Sequence, residues 1–361
     1  MSDTLQSAFT GRRVLITGHT GFKGAWLALW LHELGAQVCG LALEPEPGST
    51  LFTDLGLADN IDHRIGDIRD PALVNSVIAE VRPEFVFHLA AQALVRRSYV
   101  QATETWAVNV LGTIHVLEAV RQLGGECTVV AITTDKIYEN NEAGRAFVET
   151  DPLGGHDPYS SSKAGAEIAI QSWRRSFFGA ESPVALASTR AGNVIGGGDG
   201  AADRIVPDAI RCMSAGESVF VRNPASTRPW QHVLDPLLGY LLLAAQMDRA
   251  LRQRDSARRS VLESAWNFGP AAESIRPVRD LIDLITARWP GARWHHAAEA
   301  NAPHEARTLA LDPTKAAREL GWQPRWTFEQ AVAATVDWYR AIHQGGDPAA
   351  HCLQQIRSFA A

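Results

Sequence analysis

The sequence predicts an α/β protein built on a doubly wound parallel sheet, with a smaller mixed α/β domain towards the carboxyl end. Short apolar runs rich in β-branched residues recur along the first half of the chain, and segments with helical spacing separate them. Glycines 18, 21 and 24 follow the first of these runs directly. After about residue 190 glycine and proline become dense, which is typical of loops.

The elements of the sheet follow one another in order. "RRVLITG" (12–18) is the first strand, and "FKGAWLALWLHELG" (22–35) is a helix that Gly35 ends, because its Trp and Leu residues recur at helical spacing. A third strand precedes Asp67. The remaining predicted strands are 36–43, 84–91, 127–134 and 183–189, and the helices between them are 71–83 and 108–124.

The second half predicts a change of domain. "AGNVIGGGDG" (191–200) and "RNPASTRPW" (222–230) indicate loops, whereas "LDPLLGYLLLAAQ" (234–246) predicts a buried helix and the segment 328–344 an amphipathic one. We therefore expect one domain over 10–190 plus about 231–262, which holds the parallel sheet, and a smaller domain over 191–230 plus about 263–361.

Composition narrows the class of protein. The 361 residues are 46% hydrophobic and 20% charged, with a net charge of −6 that argues against a nucleic-acid partner. No apolar run reaches membrane-spanning length, and "MSDTLQSAFT" lacks a signal-peptide pattern, so we expect no membrane partner and a cytoplasmic location. The cysteines are too far apart for a metal cluster and predict reduced thiols: Cys39, Cys127, Cys212 and Cys352.

The glycine turn predicts a dinucleotide site. Gly18, Gly21 and Gly24 lie between the first strand and the first helix, where the missing Cβ atoms permit a tight turn and close approach of a pyrophosphate. The positive end of the helix dipole favours the same anion. The spacing G-x-x-G-x-x-G differs by one residue from the commoner dinucleotide fingerprint.

Acidic residues after the next strands predict which dinucleotide binds. Glu44 lies twenty residues after Gly24, where it can bind an adenosine ribose, although a surface acid in "EPEPG" is equally consistent. No Arg or Lys occurs between Leu41 and Thr50, which favours NAD over NADP. Asp67 and Ile68 follow the third strand and can border adenine, but Asp67 can equally cap the helix that begins near residue 71.

Two short motifs carry candidate catalytic groups. "TTDK" places Thr134, Asp135 and Lys136 at the end of a strand, as either a site or a solvated turn. "YSSSK" places Tyr159 and Lys163 on one face of a helix. A phenol titrates near about pH 10, so it needs a nearby ammonium or an oxidised nicotinamide to act as a base. The alternative is a packed Tyr and a solvated Lys.

"TGHTGFKG", "HLAAQ", "TTDK" and "YSSSK" together resemble the extended short-chain dehydrogenase/reductase family. "RAGNVIGGGD", "DRIVPD", "RPWQHVLDPL", "WNFGP" and "PHEA" are similar to its CDP-glucose 4,6-dehydratases, and the resemblance runs from about Gly11 to the tail. It implies that the domain over 10–190 plus about 231–262 is of the Rossmann type and holds NAD, and that the smaller domain holds a nucleotide-sugar substrate such as CDP-glucose. It also implies a homodimer built on paired helices, with a tetramer as the alternative.

The resemblance also implies roles for the candidate catalytic residues. Tyr159 matches the base that takes the proton of the sugar 4-hydroxyl, and Lys163 matches the lysine that binds the nicotinamide ribose. Thr134 matches the active-site hydroxyl and Asp135 the acid that protonates the departing 6-hydroxyl. Related dTDP-glucose enzymes have a glutamate where this chain has Lys136, and CDP-glucose enzymes have lysine. Lys136 is our candidate for removing the C5 proton, which requires a neutral amine.

The predicted sites are completed by two sets of residues. The cofactor-binding set is Gly18, Thr20, Gly21, Phe22, Lys23, Gly24, Glu44, Asp67, Ile68, Ala90, Ala91, Gln92, Tyr159 and Lys163. Four arginines of the late loops suit a diphosphate: Arg190, Arg204, Arg222 and Arg228. The substrate-binding set is Asn193, Arg204, Arg222, Arg228, Gln231 and His304, and Trp230 and His232 are expected to border the sugar or nucleotide, with a core role as the alternative for Trp230. No metal site is expected.

Two rival functions share part of these motifs. A nucleotide-sugar 4-epimerase has the same glycine turn, Tyr159 and Lys163, but keeps small or apolar residues where this chain has Asp135 and Lys136, because no water leaves. A non-catalytic NAD-binding sensor is the other alternative, and the intact Thr134, Tyr159 and Lys163 argue against it.

Overall fold

A computed structural model describes residues 2–140, 144–296 and 309–360 of the chain. His304, predicted to contact substrate, lies outside these ranges. In the described part the strands are β1 Arg13–Thr17, β2 Gln37–Ala42, β3 Asp62–Ile65, β4 Phe85–His88, β5 Cys127–Ile132, β6 Val184–Arg190, β7 Val194–Ile195, β8 Val219–Val221, β9 Thr227–Pro229, β10 Gln231–His232, β11 Ala265–Asn267, β12 Ile275–Pro277 and β13 Trp294–His296.

Helices connect these strands. The α-helices are α1 Ser2–Phe9, α2 Phe22–Glu33, α3 Leu51–Asp54, α4 Pro71–Val81, α5 Val95–Val100, α6 Ala102–Trp106, α7 Thr113–Leu123, α8 Pro158–Ser176, α9 Ile205–Ser214, α10 Leu234–Arg252, α11 Ser256–Leu262, α12 Val278–Ala287, α13 Thr314–Leu320, α14 Phe328–His343 and α15 Pro348–Ala360. Short 3₁₀ turns cover Leu57–Asp59, Asp135–Ile137 and Ala272–Ser274, and a π-helical segment covers Ala107–Gly112.

The central sheet has seven strands in the order β11-β6-β5-β4-β1-β2-β3, all of them parallel. Val14 on β1 pairs with Val38 on β2 and with Phe85 on β4. The chain order therefore reverses at β1, and ligands of such sheets bind at the carboxyl ends of the strands beside that reversal. The predicted fold class is confirmed.

Both faces of the sheet are covered, which explains why its strands are almost continuously apolar. One apolar cluster packs α2 and α10 against one face, through side chains such as Trp26, Trp30 and Leu241. A second packs α4 and α7 against the other face, and a third, separate cluster holds α9, α12 and α14 together. The third cluster forms the core of the smaller carboxyl-terminal layer.

Several segments differ from the expectations. The predicted loops 191–200 and 222–230 contain the short strands β7 and β9, which pair with β10 and β12. β11 joins the central sheet beside β6, although the expected division at about residue 263 assigned it to the substrate domain. Asp70, not Asp67, caps α4, since its carboxylate accepts the amide hydrogens of the first turn. The terminal helices α1 and α15 were not predicted.

Among the helices of the described ranges, none combines the length and the apolar character needed to cross a membrane. The same ranges contain no group of three or more His, Cys, Asp or Glu side chains that could hold a metal ion.

Candidate active site

A cavity of about 1110 Å³ opens at the carboxyl ends of the central strands. It extends from the glycine turn after β1, past the ends of β4 and β5, to the loops around β7 and β9. All five candidate catalytic residues and nearly all of the predicted ligand-binding residues line it. The parallel sheet causes this convergence, because every strand ends at the same edge.

The three glycines of the turn have different surroundings. Gly18 and Gly24 lie so close to neighbouring backbone that no side chain fits, whereas Gly21 leaves space for an anion. A Cβ on Gly18, whose φ is +80°, would lie 2.7 Å from the Ala90 amide nitrogen, and one on Gly24 would lie 2.1 Å from the Gly18 carbonyl oxygen. At Gly21 the nearest atom would be 3.4 Å away. No side chain caps α2, so its first amide hydrogens are available to a ligand at Gly21.

The rest of the turn lines the same end of the cavity. Thr20 donates its hydroxyl to the Leu43 carbonyl at 3.0 Å, which joins the turn to the segment after β2. Burial lowers the pKa of the Lys23 amine to about 8, and the charge of Arg204 adds to this effect. Phe22 also lines the cavity.

Glu44, Asp67 and Ile68 form the far end of the cavity. Glu44 is exposed. Arg69 donates to Asp67 through its guanidinium at 2.9 Å and its amide at 2.8 Å, and these hydrogen bonds lower the pKa of Asp67. Arg97 pairs with Glu46, a carboxylate of the segment after β2, at 2.5 Å.

Ala90, Ala91 and Gln92 follow β4 and line the cavity. The Gln92 side chain serves the fold, since its amide donates to the Thr105 hydroxyl at 2.9 Å and its carbonyl accepts from the Leu94 amide at 2.7 Å. Asn109 also accepts a hydrogen bond from the Gln92 backbone at 2.9 Å. A ligand therefore meets the backbone of this segment rather than the Gln92 amide group.

The Thr134–Lys136 segment is not a solvated turn, because Thr134 and Asp135 are buried and all three residues line the cavity. Thr134 has extended backbone after β5, and its side chain caps the following 3₁₀ turn by accepting the Lys136 amide hydrogen. Asp135 is 0% exposed, and its Oδ1 accepts from the Thr134 hydroxyl at 3.0 Å. Its Oδ2 has no hydrogen-bond partner in the described residues. Gly192 makes room for this carboxylate, because a Cβ there would lie 1.7 Å from Oδ2.

Lys136 lies at the opening of the site. Its Nζ is 3.9 Å from Asp135 Oδ1, and its side chain is 36% exposed. The Lys136 side chain is therefore only partly buried.

Tyr159 and Lys163 lie in the first two turns of α8, which begins at Pro158 with Asp157 and Ser160 forming a capping box. Burial raises the pKa of Tyr159 to about 12, opposed by the nearby Thr134 hydroxyl. Burial also lowers the pKa of Lys163 to about 8, and its Nζ donates to the Ile132 carbonyl at 3.1 Å. Both side chains are buried, which removes the alternative of a solvated lysine.

Four of the predicted substrate contacts line the other end of the cavity: Asn193, Arg204, Arg222 and Arg228. Asn193 adopts a left-handed conformation with φ 44°, and its buried side-chain oxygen lacks a partner within the described part of the chain. Arg204 donates to Asp199 at 2.9 Å. Arg222 lies 3.9 Å from Asp203, and Arg228 donates to the Thr227 carbonyl at 2.8 Å.

Three residues do not take the positions that the sequence suggested. Gln231 is not among the residues that line the cavity, and instead its amide donates to the carbonyls of Gly192 and Phe268 at 3.1 and 3.0 Å. His232 is buried in the core against Trp26 and Trp326. Arg190 belongs to β6 rather than to a loop, and it pairs with a buried glutamate. Trp230 both lines the cavity and packs in the core of the smaller layer.

Two arginines that were not among the predicted site residues line the cavity. Arg96 and Arg97 stand at the start of α5 and reach towards Asp203 and Glu46 respectively. Their signal was available, since "LVRRS" directly follows "HLAAQ" at the end of a predicted strand. Asp203 has a left-handed backbone, with φ 61°, and lies between Arg96 and Arg222.

Comparison with known proteins places this site in a family. The sequence model of GDP-mannose 4,6 dehydratase matches residues 15–335. A CDP-glucose 4,6-dehydratase from Salmonella typhimurium is 46% identical over 342 residues, covering 93% of each chain. A UDP-glucose 4-epimerase from Thermus thermophilus, solved with NAD, is 25% identical with a TM-score of 0.74, covering 91% of this chain and 99% of its own.

A dTDP-glucose 4,6-dehydratase from Streptomyces venezuelae, solved with NAD and TYD bound, has the same fold. It is 24% identical with a TM-score of 0.75, and the match covers 93% of this chain and 99% of that chain. Dehydratases and epimerases therefore share this architecture, and the residues of the site have to distinguish them.

Proposed function

The chain belongs to the GDP-mannose 4,6 dehydratase family, and we propose that it converts CDP-glucose to CDP-4-dehydro-6-deoxyglucose with NAD as its cofactor. It is a hydro-lyase of nucleotide-sugars. The observation that carries the proposal is the meeting of Thr134, Asp135 and Lys136 with Tyr159 and Lys163 in one cavity. The 46% identity to a CDP-glucose 4,6-dehydratase supports CDP-glucose as the substrate.

The residues of the cavity fit NAD. The open position at Gly21 and the uncapped start of α2 suit a pyrophosphate, and Glu44 at the end of β2 suits an adenosine ribose. We propose that Asp67 and Ile68 border the adenine and that Lys163 binds the nicotinamide ribose. When bound, NAD accepts a hydride from C4 of the sugar and returns it to C6.

Gly21→Ala is expected to lower the affinity for NAD at least tenfold while leaving the melting temperature nearly unchanged. The added Cβ meets no protein atom closer than 3.4 Å, but it occupies the space in which a pyrophosphate approaches the backbone. Binding is measured by the quenching of tryptophan fluorescence. Gly179→Ala is the control, since a Cβ there meets nothing within 4 Å and lies away from the cavity. Equal NAD affinity in the two variants would show that the pyrophosphate does not bind at this turn.

Tyr159 and Thr134 are proposed to carry the oxidation step. The Tyr159 phenolate takes the proton of the sugar 4-hydroxyl as the C4 hydride leaves, which produces a 4-ketone. Thr134 donates a hydrogen bond to the same oxygen. Burial opposes ionisation of Tyr159, so the phenolate depends on the Lys163 ammonium and on the positive nicotinamide. Proton transfer of this kind contributes about 10²–10⁴-fold to a rate.

Asp135 and Lys136 are proposed to carry the loss of water. The 4-ketone acidifies the C5 proton, Lys136 removes that proton, and Asp135 gives its own proton to the 6-hydroxyl, which leaves as water. A C5–C6 double bond remains, to which a hydride at C6 and a proton at C5 are added. The Asp135 oxygen without a partner in the described chain supports this role, because a protonated carboxyl needs one oxygen free to donate.

The diphosphate of the substrate is proposed to bind at the arginine-rich end of the cavity. Asn193 and Arg228 are the strongest candidates, with Arg204 and Arg222 beside them. Planar guanidinium groups bind phosphate oxygens in pairs, and they remain charged at any physiological pH. The contact predicted for His304 remains a proposal that rests on the resemblance alone.

Incubation with CDP-glucose labelled with deuterium at C4 tests the function. We expect a product that gains the ultraviolet absorbance of a 4-keto sugar in alkali and that carries the deuterium at C6. Return of the label to C4 with inverted stereochemistry would indicate a 4-epimerase instead. Absence of any reaction with CDP-, dTDP-, UDP- and GDP-glucose would contradict the dehydratase and favour an NAD-binding sensor.

We propose a homodimer that pairs the helices on the outer side of α8. Large apolar side chains are exposed on α5, α6, the π-helical segment and α8, with Val100 85% and Ile168 59% accessible. Trp106 and Leu111 extend the same apolar face. We propose that a second copy of this chain covers this apolar face, as the resemblance implies.

Leu111→Glu combined with Ile168→Glu is expected to halve the mass measured by analytical ultracentrifugation, since each charge would be buried without a partner. Val261→Glu is the control, because Val261 is a partly exposed apolar residue on a different helix. A double variant with unchanged mass would place the interface elsewhere. A tetramer that falls to a dimer would indicate a second interface besides this one.

The place of the reaction in the cell also belongs to the proposal. A 4-keto-6-deoxy sugar is an intermediate for deoxysugars, and we propose that this one supplies O-antigen or lipopolysaccharide synthesis in the cytoplasm. Labelling of surface polysaccharide in a strain that lacks the protein tests this, and an unchanged deoxysugar content would contradict it.

A further inference from the structure

One face of α8 contacts the end of β5 at three successive turns. Tyr159 faces the Thr134 hydroxyl, and Lys163 donates to the Ile132 carbonyl at 3.1 Å. One turn further along, Glu167 accepts a 2.6 Å hydrogen bond from the Thr133 hydroxyl. Residues four apart in a helix share a face, so 159, 163 and 167 form one continuous row. The first two members belong to the proposed chemistry, and the third has no role in it.

The buried carboxylate of Glu167 accepts hydrogen bonds from three other side chains besides its contact role on α8, namely Thr133, Ser188 and Arg190. Arg190 donates to both carboxylate oxygens, with Nε to Oε1 and Nη2 to Oε2 at 3.0 Å each. Ser188 donates to Oε2 at 2.8 Å. All of these side chains are buried. Burial opposes ionisation of Glu167, but the charge of Arg190 and the hydrogen bonds from Arg190, Thr133 and Ser188 together outweigh it, so the pKa of the carboxyl lies below its usual value.

The same network also reaches the carboxyl end of the segment that carries Thr134, Asp135 and Lys136. Arg190 donates to the Tyr138 hydroxyl at 2.6 Å, and Tyr138 donates to Asn267 at 2.7 Å. Thr133 precedes Thr134, and Tyr138 follows the 3₁₀ turn that carries Asp135 and Lys136. The Glu167–Arg190 pair therefore holds both ends of the segment that bears the candidate acid and base.

We propose that Glu167, clamped by Arg190, is a positioning residue that holds Thr134 and Asp135 in register with Tyr159 and Lys163. This inference rests on the proposed function, since it concerns the same site. Thr133 is the point of contact, and a displacement of the segment by about 1 Å is enough to lower a rate about 100-fold. Arg190 is thereby assigned to this network and not to the substrate diphosphate.

The network also acts on the charge of Lys163. Glu167 is the anion that opposes the effect of burial on this lysine, whose pKa lies at about 8. Other titratable groups that face Lys163 within the described residues are Tyr159 on the same row, Lys23 from α2 and His88 from β4. Burial lowers the pKa of His88 to about 3, so its ring is neutral. Loss of the Glu167 charge removes the anion that favours the ammonium, and the pKa of Lys163 falls further.

Glu167→Gln is the test, with Glu263→Gln as its control. Among the described residues, Glu263 forms a comparable pair with Arg259 at 2.5 Å, with both side chains buried, and it does not line the cavity. For Glu167→Gln we expect kcat to fall about 10- to 100-fold with KM for CDP-glucose changed less than twofold. The pH above which NAD affinity declines is expected to fall by about one unit. Glu263→Gln is expected to change only the melting temperature.

A second variant separates positioning from folding. If Glu167→Gln does not fold, Thr133→Val removes only the hydroxyl that the carboxylate holds, and its kcat is expected to fall with an unchanged NAD titration. Normal kcat in Thr133→Val, or equal effects of Glu167→Gln and Glu263→Gln on kcat and on the NAD titration, would overturn the inference. The NAD titration needs no CDP-glucose, so it tests the role of Glu167 even if the wild-type protein does not turn over that sugar.

Discussion

Asp135→Asn is expected to leave the oxidation of CDP-glucose intact and to lower the release of product by about 10²–10⁴-fold. The asparagine side chain keeps the shape of the carboxyl and can still accept a hydrogen bond from the Thr134 hydroxyl, which lies 3.0 Å from Oδ1 in the wild-type chain. It has no acidic proton to give to the 6-hydroxyl. The reaction should therefore stop at the ketone, with reduced nicotinamide accumulating in an amount equal to the enzyme.

Rapid-quench analysis with near-ultraviolet absorbance measures both steps. Asp235→Asn is the control, since Asp235 is also a fully buried aspartate with one unpartnered oxygen among the described residues, but it does not line the cavity. We expect that control to retain wild-type turnover. Product release by Asp135→Asn at the native rate would show that another group protonates the departing hydroxyl.

Tyr159→Phe is expected to suppress the first oxidation by about 10²–10⁴-fold, because the 4-hydroxyl loses its base. Neither reduced nicotinamide nor product should then appear at the normal rate, which distinguishes this variant from Asp135→Asn. Tyr240→Phe is the matched control, as Tyr240 is fully buried on α10 and packs against Phe268 outside the cavity.

The pH dependence of the oxidation follows from the same phenol. Burial raises the pKa of Tyr159 to about 12 in the protein without ligands, so the neutral form dominates at physiological pH. A base must have lost its proton, and the rate of single-turnover oxidation in the wild type should therefore rise with pH. The residual rate of Tyr159→Phe should lack this rise. The same pH profile in both proteins would assign the base to a different residue.

Much of the site was predictable because its residues are neighbours in sequence. The glycine turn, Thr134–Lys136, and Tyr159 with Lys163 each lie within one turn or one strand end, where short-range geometry decides which side chains share a face. The alternation of strands and helices then implied that these segments meet at the carboxyl edge of the sheet, as the cavity shows.

The residues that were placed wrongly depend on contacts across long stretches of sequence. Arg190 was predicted to bind the diphosphate because its guanidinium suits phosphate oxygens, but packing brings it against Glu167 on α8. Gln231 and His232 stand in a motif rich in polar residues, yet pairing of β10 with β7 turns them towards Gly192 and the core. No pattern in the neighbouring sequence shows which of several arginines pairs with a buried carboxylate in the folded chain.

The sequence by itself determined the parallel α/β architecture and indicated the dinucleotide turn, because periodicity and motif spacing are properties of short segments. The resemblance of its motifs to a known family implied the five groups of the candidate chemistry. Only the tertiary structure decided which arginines face the cavity, that Arg96 and Arg97 join it, and that Glu167 supports it. Charged side chains pair with whatever partner the packed chain brings within reach, and that choice is made by distant segments that fold against one another.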